Sequence, residues 1–187
     1  MNEELPSPSP HAHDARLADG TLVHVRPVRA SDEAEFIRGF AALSPESRYR
    51  RFLDSMQKLT AEQVNYLIHV DGIEHVAWIV SFDDEDGVER GAAIARSIRE
   101  HDEPTVAEFA IAVADAWQGR GVGRLLTETL ARAVWDAGVR RWRATMLANN
   151  TPVQRCLARV AVEETRRIED RGSAEIVYRL CDPAAAH

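Results

Sequence analysis

Two spacings of apolar residues alternate along the chain, and each marks a different kind of element. Leu22, Val23, Val25 and Val28 make Thr21 to Val28 a predicted strand. Phe36, Ile37, Phe40 and Ala41 recur at helical spacing behind Ser31, which reads as an N-cap with Asp32 and Glu33 in the first turn. Ser44-Pro45 opens a second short helix, a cap followed by proline at the first helical position. Thr60 and Gln63 have capping-box spacing ahead of Val64, Leu67 and Ile68. From His75 the period shortens. Val76 to Phe82 and Gly91 to Ile98 read as a hairpin around the acidic turn Asp83 to Gly87. Thr105 to Val113 reads as a further strand, with Phe109, Ile111 and Val113 on one face and Glu108, Ala110 and Ala112 on the other.

The clearest helix is Gly121 to Ala137, where Val122, Leu125, Leu126, Leu130, Ala133 and Val134 follow the i, i+3, i+4, i+7 pattern and Gly138 supplies a C-cap. A strand over Val139 to Leu147, a helix over Thr151 to Val160 and strands over Val162 to Glu169 and Ala174 to Leu180 complete the order. No internal repeat is present, so the pattern predicts an α+β fold, one sheet with flanking helices. Pro6, Pro8 and Pro10 alternate with serines, and residues 1–16 are expected to form a disordered tail. A single domain is expected over 17–182, followed by a short C-terminal tail over 183–187.

Composition narrows the function classes. The 187 residues carry 23 Lys plus Arg against 30 Asp plus Glu, a formal net charge of −7, which argues against a nucleic-acid partner. No apolar run reaches the ~18 residues of a membrane span, and the N-terminus has no signal-peptide core. Cys156 and Cys181 are too few for a disulfide framework, and the reading is a reduced, cytoplasmic protein without a metal site. His24, His69, His75 and His101 lack metal-ligand spacing, and His11-Ala-His13, which could touch a metal, is read as solvated tail for want of further ligands.

The chemistry lies between the strand ending at Val113 and the long helix. In Gln118-Gly119-Arg120-Gly121-Val122-Gly123-Arg124, three alternate glycines let the backbone approach a ligand closely. The helix that follows contributes unpaired N–H groups and the positive end of its dipole, an anion site suited to a pyrophosphate. Arg120 and Arg124 add charge. A Walker A run is absent. A dinucleotide fingerprint fails because Arg124 stands at its third glycine and no acidic residue lies near Arg141. A Q/R-x-x-G-x-G/A loop matches residue for residue.

That loop, with strand, long helix, strand, asparagine and helix in order, resembles the GNAT family of N-acetyltransferases from about Thr21 to Leu180. Val25-Arg26-Pro27-Val28, Ser31-Asp32 and Leu43 to Phe52 are similar to the acetyltransferase domain of bacterial Pat-type protein lysine acetyltransferases. The resemblance implies a mixed, mostly antiparallel sheet with splayed central strands between helices, and acetyl-CoA as co-substrate. It implies that Ile111 and Val113 bond the pantetheine arm, that the Val113 N–H supports an oxyanion, and that Asn150, with Asn149 as an adjacent rival, contacts the cofactor. Gln118, Gly119, Arg120, Gly121, Val122, Gly123 and Arg124 would hold the phosphates. Glu108 matches the glutamate that accepts the amine's proton.

Two positions depart from the family. Leu157 stands where many members carry a proton-donating tyrosine, and Ala161-Val162 replaces the usual Gly-Phe. The implied acceptor is an amine, most simply a protein lysine. A small-molecule amine, or a non-catalytic acyl-CoA-sensing module, are the alternatives. The arginines Arg140, Arg141 and Arg143 are a solvated patch or a contact for the CoA 3′-phosphate. Arg48, Arg50 and Arg51 are helix-surface charge or border the substrate.

Overall fold

In the computed structural model, residues 9–54 and 56–185 are described. Eight strands form one sheet: β1 (His13–Arg16), β2 (Leu22–Pro27), β3 (His75–Asp83), β4 (Glu89–Arg99), β5 (Val106–Val113), β6 (Arg141–Leu147), β7 (Ala161–Ile168) and β8 (Ser173–Leu180). Their order across the sheet is β1-β2-β3-β4-β5-β6-β8-β7. Every neighbouring pair is antiparallel except β5 and β6, which run parallel. The helices are α1 (Glu33–Ala42), α2 (Pro45–Phe52), α3 (Ala61–Ile68), α4 (Val122–Asp136) and α5 (Thr151–Leu157).

Strand alternation divides the sheet into two faces. Val76, Trp78, Val80, Ala93, Ala95, Ala107 and Phe109 point to one side, where Val122, Leu126, Leu130 and Val134 of α4 complete the main core. Ala77, Ile79 and Ile94 point to the other, under α1 and α3. Local caps fix the helix ends as their sequences foretell. Ser44 Oγ accepts from the Ser47 N–H at 3.2 Å. Thr60 Oγ1 accepts from the Gln63 N–H at 3.1 Å while Gln63 Oε1 accepts from the Thr60 N–H at 2.8 Å. Gly138 ends α4 with φ +92, a conformation that favours glycine.

Two expectations need correction. Ser31 is not the cap of α1; Ala30–Asp32 form a 3-10 turn, and Asp32 precedes the helix. Its carboxylate accepts from the Arg29 N–H at 2.8 Å and binds the Arg26 guanidinium through two 2.8 Å bonds, which no neighbouring serine could match. The segment expected as a disordered tail over 1–16 holds β1, paired from His13↔Val25 to Arg16↔Leu22. Ala12 and Ala15 pack on the main core, and His11 Nε2 lies 2.9 Å from Asp136 Oδ2. The composition argument weighed the segment alone, and β2 supplies the partner it lacked. At the other end Pro183–Ala185 make a 3-10 turn. The proline–serine run up to Pro8, and the last two residues, lie outside the described residues.

The feature that positions the site is the short pairing of β5 with β6. It covers Val106↔Arg141, Ala107↔Trp142 and Glu108↔Arg143 and then stops. Beyond Glu108, β5 keeps only β4, while β6 runs on against β8 to Leu147↔Ser173. The Phe109 and Trp142 rings, 4.6 Å apart between centroids, fill the fork beneath the point of divergence.

Candidate active site

The fork opens into a cleft of about 420 Å³. The alternation of ladder bonds decides what faces it. Ala114 donates to Ala92 and Glu100 to Val106, so the even-numbered residues of β5 pair with β4. The odd-numbered ones turn their backbone groups toward the gap. Ile111 and Val113 are on that side, and both line the cleft.

At one end of the cleft lies the glycine loop. Gly119 and Gly121 have φ of +74 and +89. With those turns the chain reaches the first turn of α4, whose amides carry no side-chain cap. Gly119, Gly121, Gly123 and Arg124 line the cleft. A Cβ on Gly123 would stand 3.4 Å from Val113 Cγ2 and 3.5 Å from Cys156 Sγ, so glycine brings α4 close to β5 here. Asn150, at the start of α5, is buried, lines the cleft and makes no side-chain capping bond.

Not every residue of the loop points its side chain at the cleft. Val122 is fully buried in the core and can offer only its backbone. Arg120 turns away: its guanidinium binds Asp19 Oδ2 at 2.7 and 2.9 Å and Thr21 Oγ1 at 2.9 Å, and stacks 4.1 Å from the centre of the Trp117 ring. Its side chain ties the loop to the β1–β2 turn, contrary to the expected phosphate contact. Asp19, holding that guanidinium and the Thr21 N–H and hydroxyl, drops to about 2. Gln118 Nε2 donates to Val113 O at 3.2 Å, Ser47 Oγ at 3.0 Å and Asp115 Oδ1 at 3.2 Å, so its side chain braces the loop. Arg155, which sequence reasoning passed over, joins Arg124 on the cleft wall. Its place on a short helix after Asn150 was the available signal.

Arg140, Arg141 and Arg143 do not gather at the cleft. Arg140 bonds the Trp135 and Val139 carbonyls and stacks on Trp135, Arg141 pairs with Glu164, and Arg143 pairs with Glu100, the last two at 2.8 Å. Leu157 is fully buried and holds no proton to give. Cys156 lines the cleft, and burial pushes its thiol above the usual range.

Glu108 occupies the last paired position of β5, where the fork begins. It is exposed and lines a hollow with Thr145, Asn150 and Val153, next to the cleft. Arg50 and Arg51 of α2 border both spaces. Arg50 is paired with Glu46 at 2.6 Å. Arg51 feels Glu108 as its favourable charge, while burial draws its guanidinium below the ordinary value. Arg48 is structural, bonding the Leu43 carbonyl at 2.9 Å and the Ala41 carbonyl at 3.1 Å. Among the described residues no cluster of three His, Cys, Asp or Glu could hold a metal, and no helix is long and apolar enough to cross a membrane.

A parallel pair that forks, a glycine loop capping a long helix at the fork, and a carboxylate at its apex define one class. The chain belongs to the acetyltransferase (GNAT) family, whose sequence profile matches residues 33–161. Among its relatives is Acetyltransferase Pat of Mycolicibacterium smegmatis, 33% identical over 157 residues. That match takes in 84% of this chain and 45% of the relative, so the chain spans under half of that protein. Acetyltransferase PA5475 of Pseudomonas aeruginosa is 27% identical over 88% of this chain and 86% of its own length. The crystal structure of the GNAT domain of S. lividans PAT superposes with a TM-score of 0.79 at 26% identity, covering 92% of this chain and 99% of that one.

Proposed function

We propose that the chain transfers acetyl from acetyl-CoA to the ε-amine of a protein lysine by direct attack within a ternary complex. The observation that carries this reading is the position of Glu108, a carboxylate at the apex of the fork beside the cleft. A lysine ammonium with a pKa near 10.4 must lose a proton before it attacks, and a carboxylate in hydrogen-bond reach or one water away accepts it. The nitrogen lone pair then adds to the thioester carbonyl carbon. The oxygen gains charge beside a β5 amide, the Val113 N–H by family resemblance. Collapse forms the amide, releases the nitrogen's second proton to solvent, and expels the CoA thiolate, which takes a proton from solvent, since Leu157 has none. The diphosphate is held by the loop amides between Gly119 and Gly123, with Arg124 and Arg155 alongside. The lysine acceptor is supported by the likeness of Leu43 to Phe52 to Pat-type enzymes, because that segment forms α2 at the border of the Glu108 hollow.

Two measurements test it. Incubating the full chain with acetyl-CoA and a cell lysate, followed by mapping of acetylated sites, should mark protein lysines; acetylation confined to free amines moves the acceptor to small molecules. Glu108→Gln should lower kcat by about a hundredfold while acetyl-CoA still binds in calorimetry. Equal turnover removes Glu108 from the reaction.

A further inference from the structure

A second, smaller cavity of about 80 Å³ lies between α1, α2 and the sheet. Liquid water takes about 30 Å³ per molecule, so this is room for a short chain of atoms. Phe36, Phe40 and Ile94 give it apolar walls, and Ala110 and Ala112 on β5 keep that side low. Gly39, in the middle of α1, faces it, and a Cβ there would meet nothing within 4 Å. Glycine inside a helix is destabilising relative to alanine, so the sequence keeps open a space that helix propensity argues for filling.

Two guanidinia reach this cavity. Arg96 stands on central strand β4 and is 3% exposed. Its Nη1 bonds the Leu67 carbonyl at 3.2 Å and His75 Nε2 at 2.9 Å. Burial and the neighbouring Arg51 draw it down to about 9, still cationic at neutral pH. Neither Arg51 nor Arg96 has a carboxylate within 4 Å among the described residues. The carboxylates on the opposite wall are already bound, Asp32 by Arg26 and Glu35 by the Gly91 N–H and Arg38. Arg51 is partly exposed and has Glu108 as its nearby opposite charge, whereas Arg96 is buried and makes no ion pair among the described residues, and a like charge beside a buried cation is costly without a further counter-ion.

Connectivity says where that counter-ion enters. Leu43, Arg51 and Ala112 line both the small cavity and the cofactor cleft, so the cavity meets the cleft at the β5 segment beside Ile111 and Val113. Glu108 lies in the other hollow, not in this one.

We propose that the cavity receives the distal end of the transferred acyl group, and that it fits a short dicarboxylic acyl chain whose free carboxylate sits between Arg51 and Arg96. The inference rests on the acyl-CoA reading of the cleft. The reaction balances as for acetyl. The amine nitrogen bonds the thioester carbon, the C–S bond breaks, and the nitrogen's first proton passes to Glu108 and its second to solvent. The thiolate takes a proton from solvent, and the amide product keeps its distal carboxylate. An acetyl group uses the same carbonyl position without reaching the guanidinia.

The test is calorimetric binding of acetyl-CoA, butyryl-CoA and succinyl-CoA to the full chain, the last two matched in length and differing in the terminal carboxylate. Wild type should bind the succinyl thioester about tenfold more tightly than the butyryl one. Arg96→Met should bring that ratio near one. Gly39→Leu, which fills the cavity without a backbone clash, should weaken both four-carbon thioesters about tenfold relative to acetyl-CoA, and it covers the case in which the Arg96 variant fails to fold. A chain that binds acetyl-CoA but prefers the butyryl thioester, or shows no preference, overturns the inference and leaves the cofactor reading standing. A chain that binds none of the three overturns the cofactor reading itself. If wild type shows no thioester preference yet acetylates free glutamate with a KM at least tenfold below that for its diamide, the carboxylate belongs to the acceptor and the acyl assignment falls.

Discussion

The Ser47 hydroxyl of α2 donates to Asp115 Oδ1 at 2.6 Å, joining the helix beside Glu108 to the segment that leads into the glycine loop. Asp115 Oδ2 accepts from the Ser44 N–H at 2.7 Å, and Gln118 closes the cluster by bonding both Ser47 and Asp115. The α2 wall and the glycine-loop wall of the cleft are thus held in one geometry by a carboxylate that bonds hold below its ordinary 3.8. Asp115→Ala should raise the KM for acetyl-CoA severalfold and lower kcat together with it, because both walls shift. The cost in stability should be about 1–2 kcal/mol by denaturant unfolding. A variant with unchanged KM and kcat would reduce the cluster to a local helix cap.

The two arginines of the loop should separate cleanly. Arg124→Ala, on the cleft wall, should raise the KM for acetyl-CoA about three- to tenfold, and the effect should shrink in high salt. Arg120→Ala should change that KM less than about twofold, since its guanidinium is spent on Asp19, Thr21 and Trp117, and should instead lower the thermal midpoint. Steady-state kinetics at two ionic strengths distinguishes them.

Gly121 has φ +89, and a Cβ at this position would meet nothing within 4 Å. Gly121→Ala therefore meets only a backbone penalty, about 1–2 kcal/mol for a residue forced into the left-handed region. The loop should relax away from its present course, and acetyl-CoA affinity by calorimetry should fall about tenfold. Unaltered affinity would mean that the amides between Gly119 and Gly123 do not hold the phosphates.

His24 lies between two carboxylates, 2.7 Å from Asp14 and 3.6 Å from Asp83, and bonding to Asp14 raises it above 6.5. A pKa raised on folding stabilises the protein while the ring is protonated. The contribution is complete below 6.5 and disappears as pH climbs through the raised value. His75 works in the opposite sense. Burial beside Arg96 lowers it to about 4, so its share of stability is present above 6.5 and is lost as pH falls toward 4. The difference in denaturant unfolding between His24→Gln and wild type should be largest below pH 6.5 and shrink as pH rises beyond it; a constant difference would assign His24 a packing role only.

Much of the frame was legible because its signals are local. The caps at Ser44 and Thr60, the apolar stripe of α4 and the alternation along β5 each follow from a few adjacent residues. The glycine loop was equally readable, since its left-handed turns need glycine. What escaped depends on distant partners. Pairing of β1 requires β2, the turning of Arg120 requires Asp19, about a hundred positions away, and the Asp32 cap requires Arg26. Arg96 gave no sign at all: in a strand that also carries Glu89, Arg90, Ser97 and Arg99 it reads as one more polar position, and only the packing of α1 over β4 puts it against a cavity.

The fork between β5 and β6 has a thermodynamic meaning as well as a spatial one. Past Glu108 a central strand carries backbone donors and acceptors that its neighbour does not take up, so this sheet has a third edge, placed inside rather than at its rim. A ligand whose own amides run along that edge acts as a missing strand. Its binding free energy is then folding free energy, about 2.7 kcal/mol when it stands at a hundred times its Kd. Withdrawing the ligand should therefore lower the unfolding midpoint of the protein as well as stop turnover.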